Sequence, residues 1–120
     1  MTLKDSYAAL GGDYEDVMAR LRSESLVGKF VLKFPQDQSY PLLLASLEAG
    51  NVQDAFRAAH TIKGMCQNLS FTGLAHAASD MTEALRAGDL DRGKALLDRV
   101  SQEYRRTVAA IRDFQAGQPA

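Results

Sequence analysis

Val52-Gln53-Asp54-Ala55-Phe56-Arg57-Ala58-Ala59-His60-Thr61-Ile62-Lys63-Gly64-Met65-Cys66-Gln67-Asn68-Leu69 lies mid-chain and reads as one amphipathic helix. At roughly 100° per residue, Val52, Ala55, Ala59, Ile62, Cys66 and Leu69 share an apolar face. His60 falls nearly opposite that face. Phe56, Lys63, Gly64 and Gln67 lie within about one turn of it, on its side. The spacing therefore points an imidazole at solvent, with an ammonium one turn on. Gly64 costs this helix about 1 kcal/mol against alanine. Beside a solvent-facing imidazole, that glycine clears room for an approaching group. A lone histidine on a helix surface is ordinarily only solvated. An uncrowded one can also serve as a nucleophile or a ligand.

The flanking segments extend the helical pattern. Upstream, residues 37–50 read as a helix with Tyr40, Leu43, Leu44 and Leu47 as its apolar positions. Pro41 is tolerable only in a first turn, so this helix starts near Ser39. Gly50 ends it and Asn51 caps the next. Downstream, residues 68–73 are a break in which Ser70 and Thr72 are the candidate caps. Leu74, Ala77, Ala78, Met81 and Leu85 then line one face of a helix that Gly88 stops. Asp89 or Asp91 opens a last helix to about Gln115, with Leu96, Leu97, Val100, Tyr104, Val108, Ile111 and Phe114 as its apolar positions. Residues 116–120 read as a frayed tail.

Shorter helices precede these. Residues 3–10 begin near Thr2 or Asp5 and end at Gly11-Gly12. Asp13 caps residues 14–22. Ser23 caps a run with Leu26, Val27, Phe30, Val31 and Phe34 at helical spacing, which Pro35 stops. No alternating or β-branched run suggests a strand. The expected fold is all-α: one domain over residues 1–120, with an antiparallel four-helix bundle at about 37–115. The N-terminal helices at about 3–34 cover one end or side of it.

Composition narrows the function. The chain has 120 residues and a formal net charge of −1, which argues against a nucleic-acid footprint. No apolar run approaches the roughly 18 residues of a membrane span, and no basic and apolar leader follows Met1. The single cysteine, Cys66, excludes an internal disulfide framework and suits a reducing cytoplasm. Its place on the inward face makes it a small core residue. His60 and His76 lie on different helices without metal-ligand spacing, so neither a metal nor a cofactor is expected. No nucleophile elbow or phosphate loop occurs. Arg99, Arg105, Arg106 and Arg112 alternate with Asp98, Glu103 and Asp113 as a solvated face.

The segment from Phe56 to Leu69, with Ala59-His60-Thr61-Ile62-Lys63-Gly64 at its centre, resembles the signature of histidine-containing phosphotransfer (HPt) domains. These are the phosphorelay intermediates of two-component signalling. The resemblance takes in residues 43–51, Leu74, Met81-Thr82-Glu83-Ala84-Leu85-Arg86 and Ala87-Gly88-Asp89, and spans roughly residues 23–111. It implies His60 as phosphoacceptor, Lys63 as the cation facing the phosphoryl oxygens, and Gly64 as the small residue that leaves them space. Gln67 would supply a polar contact. On the neighbouring helix the family places Gln or Glu against the imidazole; the matching position is Thr82, with Glu83 beside it. Ser70 stands where many members have glycine. The resemblance further implies a non-enzymatic carrier whose partners are a receiver domain, holding the acidic pocket and Mg²⁺, and a sensor histidine kinase. Phe56, Arg57 and Met65 are the expected docking residues, although the Phe56 ring suits burial under a neighbouring helix equally well. The rival readings are a helical adaptor that is never phosphorylated and, more weakly, a haem or metal binder using His60 or His76. A ligand-bearing bundle would want inward-facing histidines, and His60 points out.

Overall fold

The computed structural model describes residues 1–119; Ala120, the end of the expected tail, lies outside them. Among the described residues the chain forms eight α-helices, one 3-10 turn and no strand. Three short helices come first: α1 (Leu3–Leu10), α2 (Tyr14–Leu21) and α3 (Glu24–Lys33). Thr2, Asp13 and Ser23 cap them through side-chain oxygens, and Asp5 completes a reciprocal capping box with Thr2. Pro35 lies in the 3-10 turn Phe34–Gln36 that ends this segment. The longer elements are α4 (Ser39–Glu48), α5 (Val52–Asn68), α6 (Thr72–Arg86), α7 (Leu90–Ala95) and α8 (Leu97–Ala116).

Short turns join the longer helices, and α5 and α6 run in opposite senses. Gly50 and Gly88 adopt φ of 72° and 78°, a left-handed conformation that closes the turns after α4 and α6 at little cost. Arg86 at the end of α6 lies over Phe56 at the start of α5. Asp80 of α6 pairs with Arg99 of α8 at 2.6 Å, and Gly73 lies under Glu103, so these two helices also run in opposite senses. The α5–α6 seam is built from Ala55, Ala58, Ala59, Ile62 and Cys66 against Leu74, Ala77, Ala78, Met81 and Leu85, all buried. The alanines let the two axes approach closely.

The N-terminal helices cover the α5–α6 turn. The buried Tyr7 ring packs against Phe71, its hydroxyl donates to the Leu69 carbonyl at 2.7 Å, and Phe34 meets Phe71 edge-on. On the other side α1 lies along α8, where Arg106 donates to the Ala9 carbonyl.

Three expectations are corrected. The last helix is two: Leu96 ends α7 and begins α8, its amide shared between the Arg92 and Gly93 carbonyls. Gly93 explains the break, because it packs so tightly on α6 that a β-carbon there would lie 2.6 Å from Leu85 Cδ2. The short segment lies against α6 at Gly93, and α8 begins afresh at Leu97. Neither Ser70 nor Thr72 caps α6. Phe71 holds the cap position without a side-chain bond, Thr72 is the first helical residue, and the Ser70 hydroxyl donates to Asp16. Leu26, Phe30 and Leu44 are not core residues: each is more than a third exposed, because α3 buries only Val27 and Val31 and α4 only Leu43, Ser46 and Leu47.

Candidate functional site

Helix α5 holds the centre of the site, and its sequence anchors both ends. Asn51 accepts the Asp54 amide proton at the N-terminus. At the C-terminus the Arg20 guanidinium donates to the carbonyls of Gln67 and Asn68 and to the Ser70 hydroxyl. A cation there engages carbonyls of the last helical turn and complements the helix dipole. Between these anchors the inward stripe is buried and the opposite face is open. His60, Gly64 and Gln67 are exposed and Lys63 is half-buried. A β-carbon added at Gly64 would meet nothing within 4 Å. The imidazole and the ammonium therefore share an uncrowded face. Among the described residues neither has a hydrogen-bond or ion-pair partner; on the same helix Arg57 pairs with Asp54 and the Thr61 hydroxyl donates to the Arg57 carbonyl.

The ring against His60 is Phe56, one turn earlier, with centroids 5.8 Å apart and planes tilted by 38°. Phe56 is half-buried against the core, so the question of partner or neighbouring helix has a mixed answer: the residue packs on the core, and Arg86 of α6 lies over its ring at 4.9 Å. Arg86 donates to Glu83 at 3.3 Å, and Arg57, which is exposed, pairs with Asp54. Val52, Gln53, Phe56, Arg57, Leu85 and Arg86 line an open depression, to which the imidazole is linked through the Phe56 ring.

Two expected residues sit differently. Thr82 is fully buried, and its hydroxyl donates back to the Ala78 carbonyl at 2.7 Å. No hydrogen bond joins it to His60 among the described residues. Such back-bonding, i to i−4, is the ordinary fate of a threonine hydroxyl inside a helix. Glu83 reaches the imidazole only indirectly, through Arg86 and Phe56. Met65 does not join the depression at Phe56; it lines a separate groove with Phe30, Lys33, Phe34, Asp37, Asn68 and Leu69. His76 is exposed in a small depression with Gln67 and Asp16. No group of three His, Cys, Asp or Glu side chains suited to a metal ion occurs among the described residues.

Sequence reasoning missed the Asp16–Arg20–Ser70 cluster. Asp16 accepts from the Ser70 hydroxyl at 2.6 Å and from Arg20 at 3.0 Å, and these bonds hold its carboxyl below the usual range. Ser70 itself takes φ of 56°. A serine in a left-handed turn is costly unless its side chain is engaged. The signal was present at Ser70, where the resemblance expects glycine. Nothing in the local sequence tied that serine to α2, fifty residues away.

Comparison with protein families gives a match. The family model described as the Hpt domain matches residues 34–113, which takes in the last turn before α4 and nearly all of α4 to α8. No curated protein and no solved structure gives a match. Hpt domains are phosphotransfer modules of two-component systems rather than conventional enzymes. With two thirds of its length matched and a helical bundle as its fold, the chain belongs to the Hpt domain family.

Proposed function

We propose that this protein carries a phosphoryl group on His60 and exchanges it with the aspartate of a receiver domain. The observation that carries the reading is the open face of α5. There an unpaired imidazole, a half-buried lysine one turn on and a glycine with no internal packing role converge. In the forward step a lone pair on a neutral imidazole nitrogen forms the N–P bond. The P–O bond to the aspartyl carboxylate breaks and its electron pair leaves on that carboxylate. The proton on the other ring nitrogen passes to water as the ring is neutralised. Transfer through a loose transition state asks for positioning and charge stabilisation rather than covalent work by the carrier. Lys63 offsets charge on the phosphoryl oxygens, and the space above Gly64 admits them. Gln67 continues the polar stripe.

On this reading the Mg²⁺ and the acidic pocket belong to the receiver, and the sensor kinase is the ultimate source of the phosphoryl group. Phe56 and Arg57 border the docking face. Met65 extends that face only if the partner also spans the separate groove beside Phe30. No helix of the described residues is long and apolar enough to cross a membrane; the reading places the protein in the cytoplasm with its partners.

The test is incubation with a phosphorylated receiver carrying labelled phosphate. The expected product is label on this chain that is acid-labile, base-stable and absent from His60→Gln. Undiminished labelling of His60→Gln, or none of the wild type, overturns the reading and leaves the adaptor in its place.

A further inference from the structure

We infer that Phe56, held from above by Arg86, is the positioning residue for the His60 imidazole, taking the part that a hydrogen bond from the neighbouring helix would otherwise play. The inference rests on the carrier reading of His60. Its basis is an absence and a contact. The residue expected to orient the ring, Thr82, is buried with its hydroxyl committed to the Ala78 carbonyl. The aromatic ring in contact with the imidazole is Phe56, at 5.8 Å and 38°.

Phe56 can serve as a fixed wall because it is itself held on two sides. It packs on the core, and the Arg86 guanidinium lies over its ring at 4.9 Å. Arg86 is tethered in turn by Glu83 at 3.3 Å. Glu83, Arg86 and Phe56 thus form a chain of contacts that begins on α6 and ends at the reacting ring on α5. A tilted aromatic pair at this separation favours a limited set of imidazole rotamers without engaging either ring nitrogen. Both nitrogens stay available, one to attack and one to hold its proton. The contact of the arginine with the ring is a cation–π interaction of the exposed kind.

The experiment uses the full chain in two measurements. In the first, histidine ring resonances of the unphosphorylated protein are followed by nuclear magnetic resonance, with His60→Gln giving the assignment. Phe56→Leu is expected to remove a ring-current displacement of the His60 signals and leave His76 unmoved; Phe56→Tyr keeps it. In the second, single-turnover transfer from a phosphorylated receiver is measured across receiver concentration. Phe56→Leu is expected to slow transfer at saturation roughly tenfold with little change in the concentration for half-saturation, because reacting atoms lose alignment. Phe56→Tyr restores the rate. Arg86→Ala is expected to slow it about threefold in the wild-type background and not at all in Phe56→Leu, since its effect passes through the ring.

An unchanged His60 spectrum in Phe56→Leu overturns the inference. So does a loss confined to half-saturation, which would make Phe56 a docking contact. An Arg86→Ala effect of equal size in both backgrounds also overturns it, since Arg86 would then act directly. The first measurement needs no phosphorylation, so failure of the carrier reading shows separately, as absence of label on the wild type.

Discussion

Gly64 stands in the middle of α5 with none of the packing reasons that explain glycine elsewhere in the fold. At Gly93 and Gly73 a β-carbon would collide with Leu85 and Glu103; at Gly64 it would meet open space. The helix therefore forgoes about 1 kcal/mol at this position with no close packing inside the chain to require it. Gly64→Ala is expected to raise stability by about that amount in a denaturant melt, while slowing transfer from a phosphorylated receiver. Unchanged or faster transfer would remove the steric role assigned to the glycine. Lys63→Ala should leave the melt within about 0.5 kcal/mol, as an unpaired surface charge does, and slow transfer roughly ten- to a hundredfold. Unfolding instead would show that the half-buried stem of Lys63 holds the bundle. These residues were legible in the sequence because exposure on a single long helix follows from angle alone. His60 lies opposite Ala59, Ile62 and Cys66 whatever the rest of the chain does. Thr82 was not legible in the same way. Its position level with the site came from resemblance, but where its hydroxyl goes depends on competition with the Ala78 carbonyl one turn back.

Helix α5 depends on a contact from a separate element at its C-terminal end. Arg20 of α2 reaches three acceptors around the α5–α6 turn, and Asp16 holds both Arg20 and Ser70. Arg20→Ala is expected to lower stability by about 1–2 kcal/mol, since it strips hydrogen bonds from carbonyls at a helix end. Hydrogen exchange should locate the loss at the amides of Leu69, Ser70 and Phe71. Exchange unchanged there would mean water replaces the guanidinium without cost. The same clasp has a pH signature. The Ser70 hydroxyl and then Arg20 lower the Asp16 pKa from its ordinary value of 3.8. A depressed carboxyl contributes stability above its unfolded pKa and loses it as pH falls through the folded one. The α2 clasp should thus weaken only below about pH 4, and Asp16→Asn should flatten that acid limb of a pH–stability curve. Element boundaries were legible wherever a cap lies next to the helix it caps, as at Thr2, Asp13, Ser23 and Asn51. They failed where a distant packing partner decides. Leu85 pressing on Gly93 splits the last helix, and Asp16 draws the Ser70 hydroxyl away from α6.

The family match begins at residue 34, yet the core does not. Leu3, Tyr7, Leu10, Val17, Val27 and Val31 are buried to within a few per cent of completely, and they close over Leu69, Phe71 and Phe114. Each such side chain is worth about 1.5–3 kcal/mol against exposure, a large share of the about 5–15 kcal/mol net stability of a small domain. We propose that the N-terminal helices and the matched bundle unfold as one unit. The sequence showed these helices as a cover but not its tightness. That depends on Tyr7, whose ring bridges Tyr14 and Phe71 while its hydroxyl ends on the Leu69 carbonyl. Burial raises the Tyr7 pKa, and the Cys66 and Tyr104 pKa values rise for the same leading cause. Groups raised in this way stabilise the fold fully below their unfolded pKa and lose that contribution as pH climbs, so the whole chain should loosen in alkali, above about pH 9–10. Cys66 reports the same event at neutral pH, because its thiol is fully buried and labels only when the core opens. A chain lacking residues 1–33 is expected to melt at a lower temperature and to react with a thiol reagent at least tenfold faster, matching a loss of about 1.4 kcal/mol or more in opening free energy. The full chain should give one transition by circular dichroism and by thiol labelling alike. Equal melting of the two chains, or two separate transitions in the full one, would instead make the N-terminal helices an independent attachment to a bundle that stands without them.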